Sequence, residues 1–452
     1  MKTLFLFFVM LGSPTLLLAT KKDYIVILNE CFPKCPEGGE EIKLNRKEIA
    51  EFLCKVFGQK IENCSRENLI KRVYTGIFKG FSVSLNFSEY DSLSKNPNVQ
   101  KLLLDSEIGP DGRPIHLGRP IHLGRPIHLA NDRINWKSEL PLDIIYNDSL
   151  KTSYAIKDVG GPKNSNSSSK IWILDSGIDY RHPELDGNID KSLWRSFVNG
   201  NDTLNLKDNI GHGTHCAGIV SASLGNRLDS NFGINGVSIG AKVVPLKVLD
   251  KNGVGTWGSL LEALDYTFLK GQEGDIVLMS LGDQVDYENM NYFPIINLAI
   301  SSLAEKEFLV VMSAGNRYLE KVVYKKFLGI FKVSTMQWTQ VRSAKKNMPG
   351  SIYGDNIFTV AALDYGFERK GQPILWEYSL GGAPAEWVVP GTNVISTYKF
   401  NKNSKRFIEW SGTSMAAAIF AGMLHVVDGD INLFDTTSLD LEGFQYKFPK
   451  IK

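Results

Sequence analysis

The sequence has almost no excess charge of either sign. Its 452 residues carry 51 Lys and Arg against 49 Asp and Glu, which leaves a formal net charge of +2. A chain so nearly neutral has no global field to attract nucleic acid or an anionic membrane surface. We therefore expect no nucleic-acid partner, and any partner must be recognised at a particular site.

Long apolar runs are missing after the N-terminal segment. Residues 4–18 form one apolar run between Lys2 and the sequence Ala19-Thr20-Lys21-Lys22, and Gly12-Ser13-Pro14 interrupts it. This pattern is typical of a secretory signal peptide, and it is too short and too broken for a membrane span. We assign residues 1–20 to a signal peptide, and the alternative is a retained anchor. The protein is expected to be secreted or to lie in a secretory compartment, with no membrane span in its mature form.

Cysteine is scarce, and four of the five cysteines lie in one N-terminal stretch: Cys31, Cys35, Cys54 and Cys64. In a secreted chain this cluster favours up to two disulfides, with three pairings open. A metal site at Cys31 and Cys35 is less favoured, because no histidine and no second close cysteine pair lies nearby. Cys216 is left over, either as a small buried residue or as a thiol near an imidazole, and we favour burial.

Sequons of the form Asn-X-Ser/Thr fit the same secretory route and predict a glycoprotein. They begin at Asn63, Asn86, Asn147, Asn166 and Asn201. The pattern is short, so it does not tell which of these asparagines carry glycans.

Residues 211–218, GHGTHCAG, set an imidazole between two glycines. Small apolar residues follow, so we expect His212 to lie where a helix begins. A glycine on each side lets another backbone approach the ring closely. Because the unperturbed pKa of histidine is about 6.5, His212 can act as a general base near neutral pH.

A carboxylate and a nucleophile stand on either side of this histidine in the chain. The apolar residues 171–174 predict a strand buried on both faces, and the strand ends in Asp175, where open α/β sheets place their sites. Ser414 opens a helix that is apolar all round, and the N-terminus of a helix favours a developing oxyanion. Asp175, His212 and Ser414 are therefore the candidate catalytic residues.

Three motifs in this order resemble the subtilisin-like serine proteases: DSGID from 175, GHGTHCAG from 211 and SGTSMA from 411. The cysteine inside the histidine motif is similar to that of their proteinase K subgroup. Residues 311–316, VMSAGN, resemble the segment whose asparagine donates to that family's oxyanion hole, which implies this role for Asn316 beside the Ser414 N–H. The resemblance covers roughly residues 20 to 425.

Two glycine-containing segments resemble the edges that bind substrate in this family. They are Gly253-Val254-Gly255-Thr256 and Ser280-Leu281-Gly282. The resemblance implies that an extended peptide pairs with Gly253, Gly255, Ser280, Leu281 and Gly282 as an added strand, and the alternative is two ordinary glycine turns. Asp283 is a candidate for favouring a basic residue before the scissile bond, against a default of broad apolar preference.

Residues 21–108 predict a small α+β unit, with strands at 23–28, 80–85 and 99–104 and helices at 48–57 and 88–93. This unit is similar to the family's propeptide, which implies an intramolecular inhibitor, and the alternative is an ordinary binding module.

Residues 109–137 hold three GRPIHL copies. A proline in each copy forbids a regular helix or central strand, so we expect an extended, exposed linker whose histidines are solvated rather than a metal clip.

Residues 138–452 predict an α/β peptidase domain. Strands at 241–249, 275–280 and 307–312 alternate with helices at 258–269 and 295–306, which argues for a mostly parallel sheet with helices on both faces. The chain departs from the family in three places. Ala418 replaces a usual proline, and no helical period follows Gly422 to cover the Ser414 helix. The Lys- and Arg-rich insertion 317–347 is interpreted as a solvated loop, and the alternative is a patch that docks a partner.

Together these features predict a secreted serine endopeptidase that is made as a zymogen. It would act as a monomer on protein or peptide substrates and need no cofactor for its chemistry. Calcium often steadies loops in the resembling family, but no residue here can be assigned as its ligand. The alternative function is a catalytically silent subtilisin fold that serves as a binding or scaffold protein. The presence of all four groups that the reaction needs counts against it: Asp175, His212, Ser414 and Asn316.

Overall fold

The computed structural model describes residues 21–29, 32, 44–59, 66–110, 126–130, 133–135, 146–198, 204–224, 233–284, 291–316, 318–328, 331–364, 373–399 and 406–452. They belong to two compact units that divide between Ser106 and Glu107. The expected signal peptide, the first two GRPIHL copies and Cys31, Cys35 and Cys64 lie outside the described residues.

The first unit is an antiparallel sheet with two helices and its own apolar core. In chain order its elements are β1 (Lys22–Leu28), α1 (Arg46–Val56), β2 (Ile70–Tyr74), β3 (Gly80–Leu85), α2 (Phe87–Ser94) and β4 (Val99–Leu104). The strands lie in the order β2-β3-β1-β4. Asn45 and Asn86 cap the two helices, each in a capping box with the glutamate three residues on. Cys54 of α1 is buried and disulfide-bonded.

The sequence predicted every element of this unit except β2. Each predicted strand and helix agrees with the observed bounds to within two residues at either end. The strand β2 was missed because IKRVY alternates apolar with basic residues over a very short run.

The second unit contains the remaining elements. Its strands are β5 (Glu107–Pro110), β6 (Pro126–Ala130), β7 (Arg133–Asn135), β8 (Tyr146–Asn147), β9 (Thr152–Ser153), β10 (Lys163–Asn164), β11 (Ile171–Asp175), β12 (Arg195–Ser196), β13 (Ser238–Ile239), β14 (Val243–Lys247), β15 (Gly255–Thr256), β16 (Ile276–Met279), β17 (Leu281–Gln284), β18 (Leu309–Ser313), β19 (Tyr318–Leu328), β20 (Phe331–Val341), β21 (Asn347–Met348), β22 (Ile357–Leu363), β23 (Trp387–Pro390), β24 (Val394–Thr397), β25 (Arg406–Trp410), β26 (Phe434–Leu441) and β27 (Phe444–Ile451). Its helices are α3 (Tyr154–Asp158), α4 (His212–Ser221), α5 (Trp257–Lys270), α6 (Phe293–Glu305) and α7 (Thr413–Val426).

A nine-stranded sheet in the order β12-β14-β11-β16-β18-β22-β23-β27-β26 forms the centre of this unit. Neighbouring strands are parallel from β12 to β27, and only the last pair, β27 and β26, is antiparallel. Parallel strands need crossover connections. Helices lie in four of them: α4 between β12 and β14, α5 between β14 and β16, α6 between β16 and β18, and α7 between β23 and β27. The predicted fold class, α/β with a mostly parallel sheet, is confirmed.

Strand β11 shows that both faces of the sheet are covered. All of its residues are buried. Ile171 and Ile173 belong to a core that includes residues of α4 and α7. Because side chains alternate along a strand, Trp172 points to the opposite face, where its ring meets Tyr266 of α5 at 6.3 Å between centroids. Asp175, at the end of this strand, is thus fixed between two helical layers.

The boundary of the second unit differs from the predicted start at residue 138. The unit begins at Glu107, because β5 pairs with β15 and β17, and β6 pairs with β25 and β7. The third repeat copy, expected as an exposed linker, therefore supplies a strand. Pro126 is the first residue of that strand, a position where the missing N–H is tolerated.

The insertion expected as a loop is instead an antiparallel hairpin. Its strands β19 and β20 are each 11 residues long and pair from Tyr318 opposite Val341 to Leu328 opposite Phe331. The loop interpretation was wrong because it gave weight to the basic residues. It overlooked the many β-branched and aromatic residues between them, which favour strands.

The C-terminal segment, which showed no periodic pattern, is a second hairpin formed by β26 and β27. Its turn residues, Glu442 and Gly443, both have positive φ angles, 52° and 80°, the geometry of the tight turns that suit a twisted hairpin. Phe434, Tyr446 and Phe448 of the hairpin join the same core as α7, so the Ser414 helix is covered. Within the described residues, no helix is long and apolar enough to cross a bilayer.

Candidate active site

Asp175 and His212 meet at the carboxyl end of β11, inside the nine-stranded sheet. Asp175 is the last residue of β11, and His212 is the first residue of α4. The Nδ1 atom of His212 lies 2.9 Å from Oδ1 and 2.8 Å from Oδ2 of Asp175, and both side chains are buried. A buried carboxylate bonded to one imidazole nitrogen orients the ring and favours a positive charge on it.

The start of α4 is held by a carboxylate from outside the helix, Asp208. Its oxygens accept hydrogen bonds from the N–H groups of Gly211 at 2.7 Å and Thr214 at 2.9 Å, and from the Thr214 hydroxyl at 2.6 Å. Asp208 also accepts from the hydroxyl of Ser176 at 2.9 Å, the residue next to Asp175. One carboxylate thus ties both halves of the Asp175–His212 pair together.

Burial raises the pKa of the Asp208 carboxyl, and the bonds from Thr214 and Gly211 act in the opposite direction. Asp208 lies outside the motifs that predicted the site. The available signal was an acidic residue a few positions before the first turn of the predicted helix, where Asp often caps free N–H groups.

Gly213 allows the helix and the strand to come this close. A Cβ atom built on Gly213 would lie 2.1 Å from the carbonyl oxygen of Gly177 and 3.1 Å from Cβ of Asp175. The first distance is shorter than any real contact. Gly211, the residue before the helix, has a φ of 97°, which L residues with side chains rarely adopt. Gly213 therefore allows the close packing of the helix on the strand, and Gly211 allows the backbone turn before the helix.

Ser414 is the second residue of α7, which packs against α4. Its hydroxyl donates to the carbonyl oxygen of Ser280 at 3.3 Å, and the Ser280 hydroxyl donates to the Ser414 carbonyl oxygen at 3.2 Å. The α7 residues Thr413 to His425 are all buried, as the apolar pattern predicted. Ala418, in place of the family's proline, lies within this continuous helix.

Cys216 lies between His212 and the Ser280–Ser414 contact. It lies one turn after His212 on α4, is buried, and its thiol is hydrogen-bonded to Ser280. Burial raises the pKa of this thiol well above its usual value. The predicted burial of Cys216 is confirmed, and the thiol also lies beside the imidazole, which was the alternative.

Ligand-type atoms of Asp175, His212 and Cys216 lie within 4.8 Å of one another, the one such group among the described residues. Calcium takes six to eight oxygen ligands. One carboxylate with an imidazole and a thiol does not fit that ion, so no calcium ligand is assigned.

Asn316 follows β18 and reaches the start of α7. Its Oδ1 atom accepts hydrogen bonds from the backbone N–H and the hydroxyl of Thr413, both at 3.1 Å. Its Nδ2 atom lies 3.6 Å from the position that a Cβ on Gly412 would take. The oxygen is thus committed to Thr413, and the N–H end of the amide faces the turn before Ser414.

A tryptophan that the sequence analysis missed packs against both histidines of the motif. The Trp410 ring lies 5.9 Å from His212 and 4.9 Å from His215 between centroids. His215 Nε2 lies 3.1 Å from the carbonyl oxygens of both Val394 and Ile408, and burial lowers the pKa of this histidine to about 3. His215 is therefore neutral and structural.

The two predicted substrate edges are strands β15 and β17, and β5 lies between them. In antiparallel register, Ile108 stands opposite Gly255, Gly109 opposite Gly282, and Pro110 opposite Leu281. Two of the predicted residues lie elsewhere. Ser280 precedes β17 and contacts Ser414, whereas Gly253 lies in the turn before β15 with a φ of 81°.

Comparison with known proteins gives a profile match to the subtilase family over residues 166–433. The thermophilic serine proteinase of Bacillus sp. strain AK1 is 29% identical over 258 residues, which cover 57% of this chain and 51% of the relative. Thermitase of Thermoactinomyces vulgaris is 28% identical over 257 residues, covering 57% of this chain and 74% of that protein. A cuticle-degrading protease of Metarhizium anisopliae is 26% identical over 356 residues, covering 78% of this chain and 71% of that protein.

This chain thus spans about half the length of the first of these relatives. The family profile nevertheless matches more than half of the chain, from before β11 to after α7, and so includes every residue of the pair and helix described above. On that match, the chain belongs to the subtilase family.

Proposed function

We propose that this protein is a serine endopeptidase, made as a secreted zymogen. The observation that carries the proposal is the buried Asp175–His212 pair, whose histidine begins a helix that packs against the helix bearing Ser414. Secretion rests on the signal-peptide pattern of residues 1–20. The zymogen rests on β5, which lies where a substrate strand would pair.

In the proposed reaction, Ser414 Oγ attacks the scissile carbonyl carbon while His212 takes the hydroxyl proton. Asp175 stabilises the resulting imidazolium. The Asn316 amide N–H and the Ser414 backbone N–H hold the oxyanion. His212 then gives its proton to the leaving amine, and an acyl-enzyme remains. A water molecule, deprotonated by His212, releases the acid product and restores Ser414.

Protein and peptide substrates are expected to bind as an extended strand between β15 and β17. Such binding uses backbone hydrogen bonds, which are tolerant of sequence, so specificity would come from the side-chain pockets. The structural precedent is β5, which pairs antiparallel with both edges.

The test is covalent labelling of the processed protein with a fluorophosphonate probe, with the labelled residue located by mass spectrometry. We expect the label on Ser414, little label on His212→Ala, and none on Ser414→Ala. Circular dichroism checks that each variant is folded. A folded wild-type protein that neither takes the label nor cleaves casein would favour the silent binding or scaffold function.

A further inference from the structure

The indole ring of Trp410 packs nearly parallel to the imidazole ring of His212. The two ring centroids lie 5.9 Å apart, and the ring planes are inclined by 29°. Trp410 is the last residue of β25 and is 5% exposed. Parallel rings at this separation are offset, and the face of an indole carries negative potential. The indole therefore presents a negative surface to the imidazole that is bonded to Asp175.

We propose that Trp410 is a positioning residue for His212, and that its π face stabilises the imidazolium that forms when the Ser414 proton moves to His212. The inference rests on the proposed endopeptidase function, in which that proton transfer occurs. The attraction is electrostatic, because an aromatic face attracts a cation that lies within about 6 Å of the ring centroid. No bond to Trp410 forms or breaks, so it is not itself a catalytic residue.

The second histidine that contacts this indole carries no charge in the working range of a histidine base. His215 lies 4.9 Å from Trp410 between ring centroids, but burial lowers the pKa of His215 to about 3. It is therefore neutral between pH 5 and 8, where histidine bases act. Of the two imidazoles on this indole, only that of His212 can gain a positive charge there.

The indole is held in place relative to the helix that bears His212. Strand β25 pairs with β24, and β24 packs against α4. The Nε2 atom of His215 on α4 lies 3.1 Å from the carbonyl oxygen of Ile408, two residues before Trp410. The ring of Tyr398 meets the indole edge-on, at 5.7 Å between centroids and an interplanar angle of 75°. These contacts fix the distance between the indole and His212.

The other titratable and charged groups near His212 do not change when only residue 410 is replaced. They lie on β11, before α4, on α4, on β14 and on β25, and they are Asp175, Asp208, His215, Cys216, Lys247 and Glu409. Asp175 favours the imidazolium, whereas a buried cation such as Lys247 opposes it. Glu409 precedes Trp410 in the strand and so points to the opposite face of β25.

The experiment measures kcat/KM against pH for processed wild type, Trp410→Phe and Trp410→Leu. Leucine keeps the position apolar without a π face, and phenylalanine has a weaker one than tryptophan. We expect kcat/KM of Trp410→Leu on the pH plateau to be about 2- to 30-fold below wild type, with Trp410→Phe between them. The acid limb reports the base of the free enzyme. It should move to lower pH in the same order, because the protonated base has lost a stabilising contact.

Tyr398→Leu is the matched control. It removes an aromatic ring that contacts Trp410 edge-on, but it leaves the indole face on His212. Its acid limb should stay at the wild-type pH, whatever its activity. A shift in this control as large as that of Trp410→Leu would overturn the inference, because general loss of aromatic packing would then explain both. The same acid limb in wild type and both Trp410 variants would overturn it as well.

A titration without catalysis keeps the test independent of activity and of the leucine variant. NMR of isotope-labelled histidines follows His212 in Ser414→Ala and in the double variant Ser414→Ala/Trp410→Phe. The imidazole of His212 should titrate at lower pH in the double variant, and equal titration curves would contradict the role of Trp410. A folded wild-type protein without fluorophosphonate label at Ser414 contradicts the proposed function, whereas label on Ser414 with unchanged acid limbs contradicts only this inference.

Discussion

Two hydrogen bonds from Thr413 decide which end of the Asn316 amide can act. They hold the amide oxygen, so only the N–H end is available to a developing oxyanion. Asn316→Ala is expected to lower kcat with little change in KM, because the interaction forms only in the transition state. Loss of one such donor in subtilisin costs about 10²–10³-fold in kcat, and we expect a similar loss here.

Asn316→Asp is the matched variant for this experiment. It keeps an acceptor for Thr413 but has no N–H to donate, so kcat should fall as far as in Asn316→Ala. Kinetics on a peptide substrate with processed enzyme measure both constants. A raised KM with an unchanged kcat would instead place Asn316 in ground-state binding.

His215 makes the stability of the second unit depend on pH. Burial, with a smaller contribution from the charge of His212, lowers the pKa of His215 to about 3, against about 6.5 in an unfolded chain. As pH falls through 6.5 the unfolded state binds the proton first, so stability is lost progressively between pH 6.5 and 3. Each pH unit in that window costs up to about 1.4 kcal/mol for this one proton.

Urea unfolding of the inactive Ser414→Ala protein between pH 6.5 and 4.5 measures this dependence without self-digestion. His215→Asn in the same background removes the titrating group, so its free energy of unfolding should vary less steeply with pH. Equal slopes for the two proteins would show that His215 does not titrate between the folded and unfolded states.

At the scale of elements, the C-terminal hairpin takes part in the core through one face. Phe434 of β26 is 5% exposed, and its ring lies 6.1 Å from Phe420 of α7 and 6.4 Å from Trp387 of β23. Phe434→Ala is expected to lower the free energy of unfolding by about 3–5 kcal/mol, because it removes buried aromatic surface and leaves a cavity.

Phe444, in the same hairpin, is the control for this substitution. It is 50% exposed, so Phe444→Ala should change the free energy of unfolding by about 0.5 kcal/mol. Urea titrations of both variants in the Ser414→Ala background give the comparison. Similar losses for the two would mean that the hairpin does not pack through the Phe434 side.

Two elements show which parts of the fold can be predicted from the sequence. Residues 171–174 predicted β11 correctly, because a continuous apolar run of that length is buried on both faces. The hairpin of β26 and β27 was not predictable in the same way. Its turn depends on positive φ angles at Glu442 and Gly443, and glutamate is a poor signal for that conformation.

The residues of the candidate site likewise fall into those that the sequence predicts and those that it does not. Asp175, His212 and Ser414 could be read from motifs, because the chemistry requires those residue types. The packing of Trp410 against the imidazoles and the hydrogen bond between Asp208 and Ser176 could not, although the position of Asp208 before the helix was a local signal for capping. Such roles depend on tertiary contacts that no local pattern encodes.

For the whole molecule, β5 and its two partner strands belong to one chain, so the first cut should be intramolecular. The fraction of wild-type precursor that is cut at a given time should not change when the protein is diluted tenfold. Ser414→Ala should accumulate as full-length precursor, because loss of the triad serine in subtilisin costs on the order of 10⁶ in rate.

Gel densitometry of pulse-labelled precursor at two concentrations measures this order of reaction. A rate that rises in proportion to concentration would mean that one molecule cuts another. Addition of processed wild-type enzyme to Ser414→Ala precursor is the control, since it reports how fast that second route can be.

The close packing at Gly213 restricts the residue type at this position as narrowly as the proposed chemistry restricts it at Asp175, His212 and Ser414. A methyl group there would overlap the carbonyl oxygen of Gly177 and press on Asp175, so any substitution separates the strand from the helix that carries His212. The position transfers no proton and touches no substrate in the proposed mechanism. A substitution there is nevertheless expected to abolish activity as a change at a reacting residue would, so loss of activity alone would not tell the two kinds of residue apart.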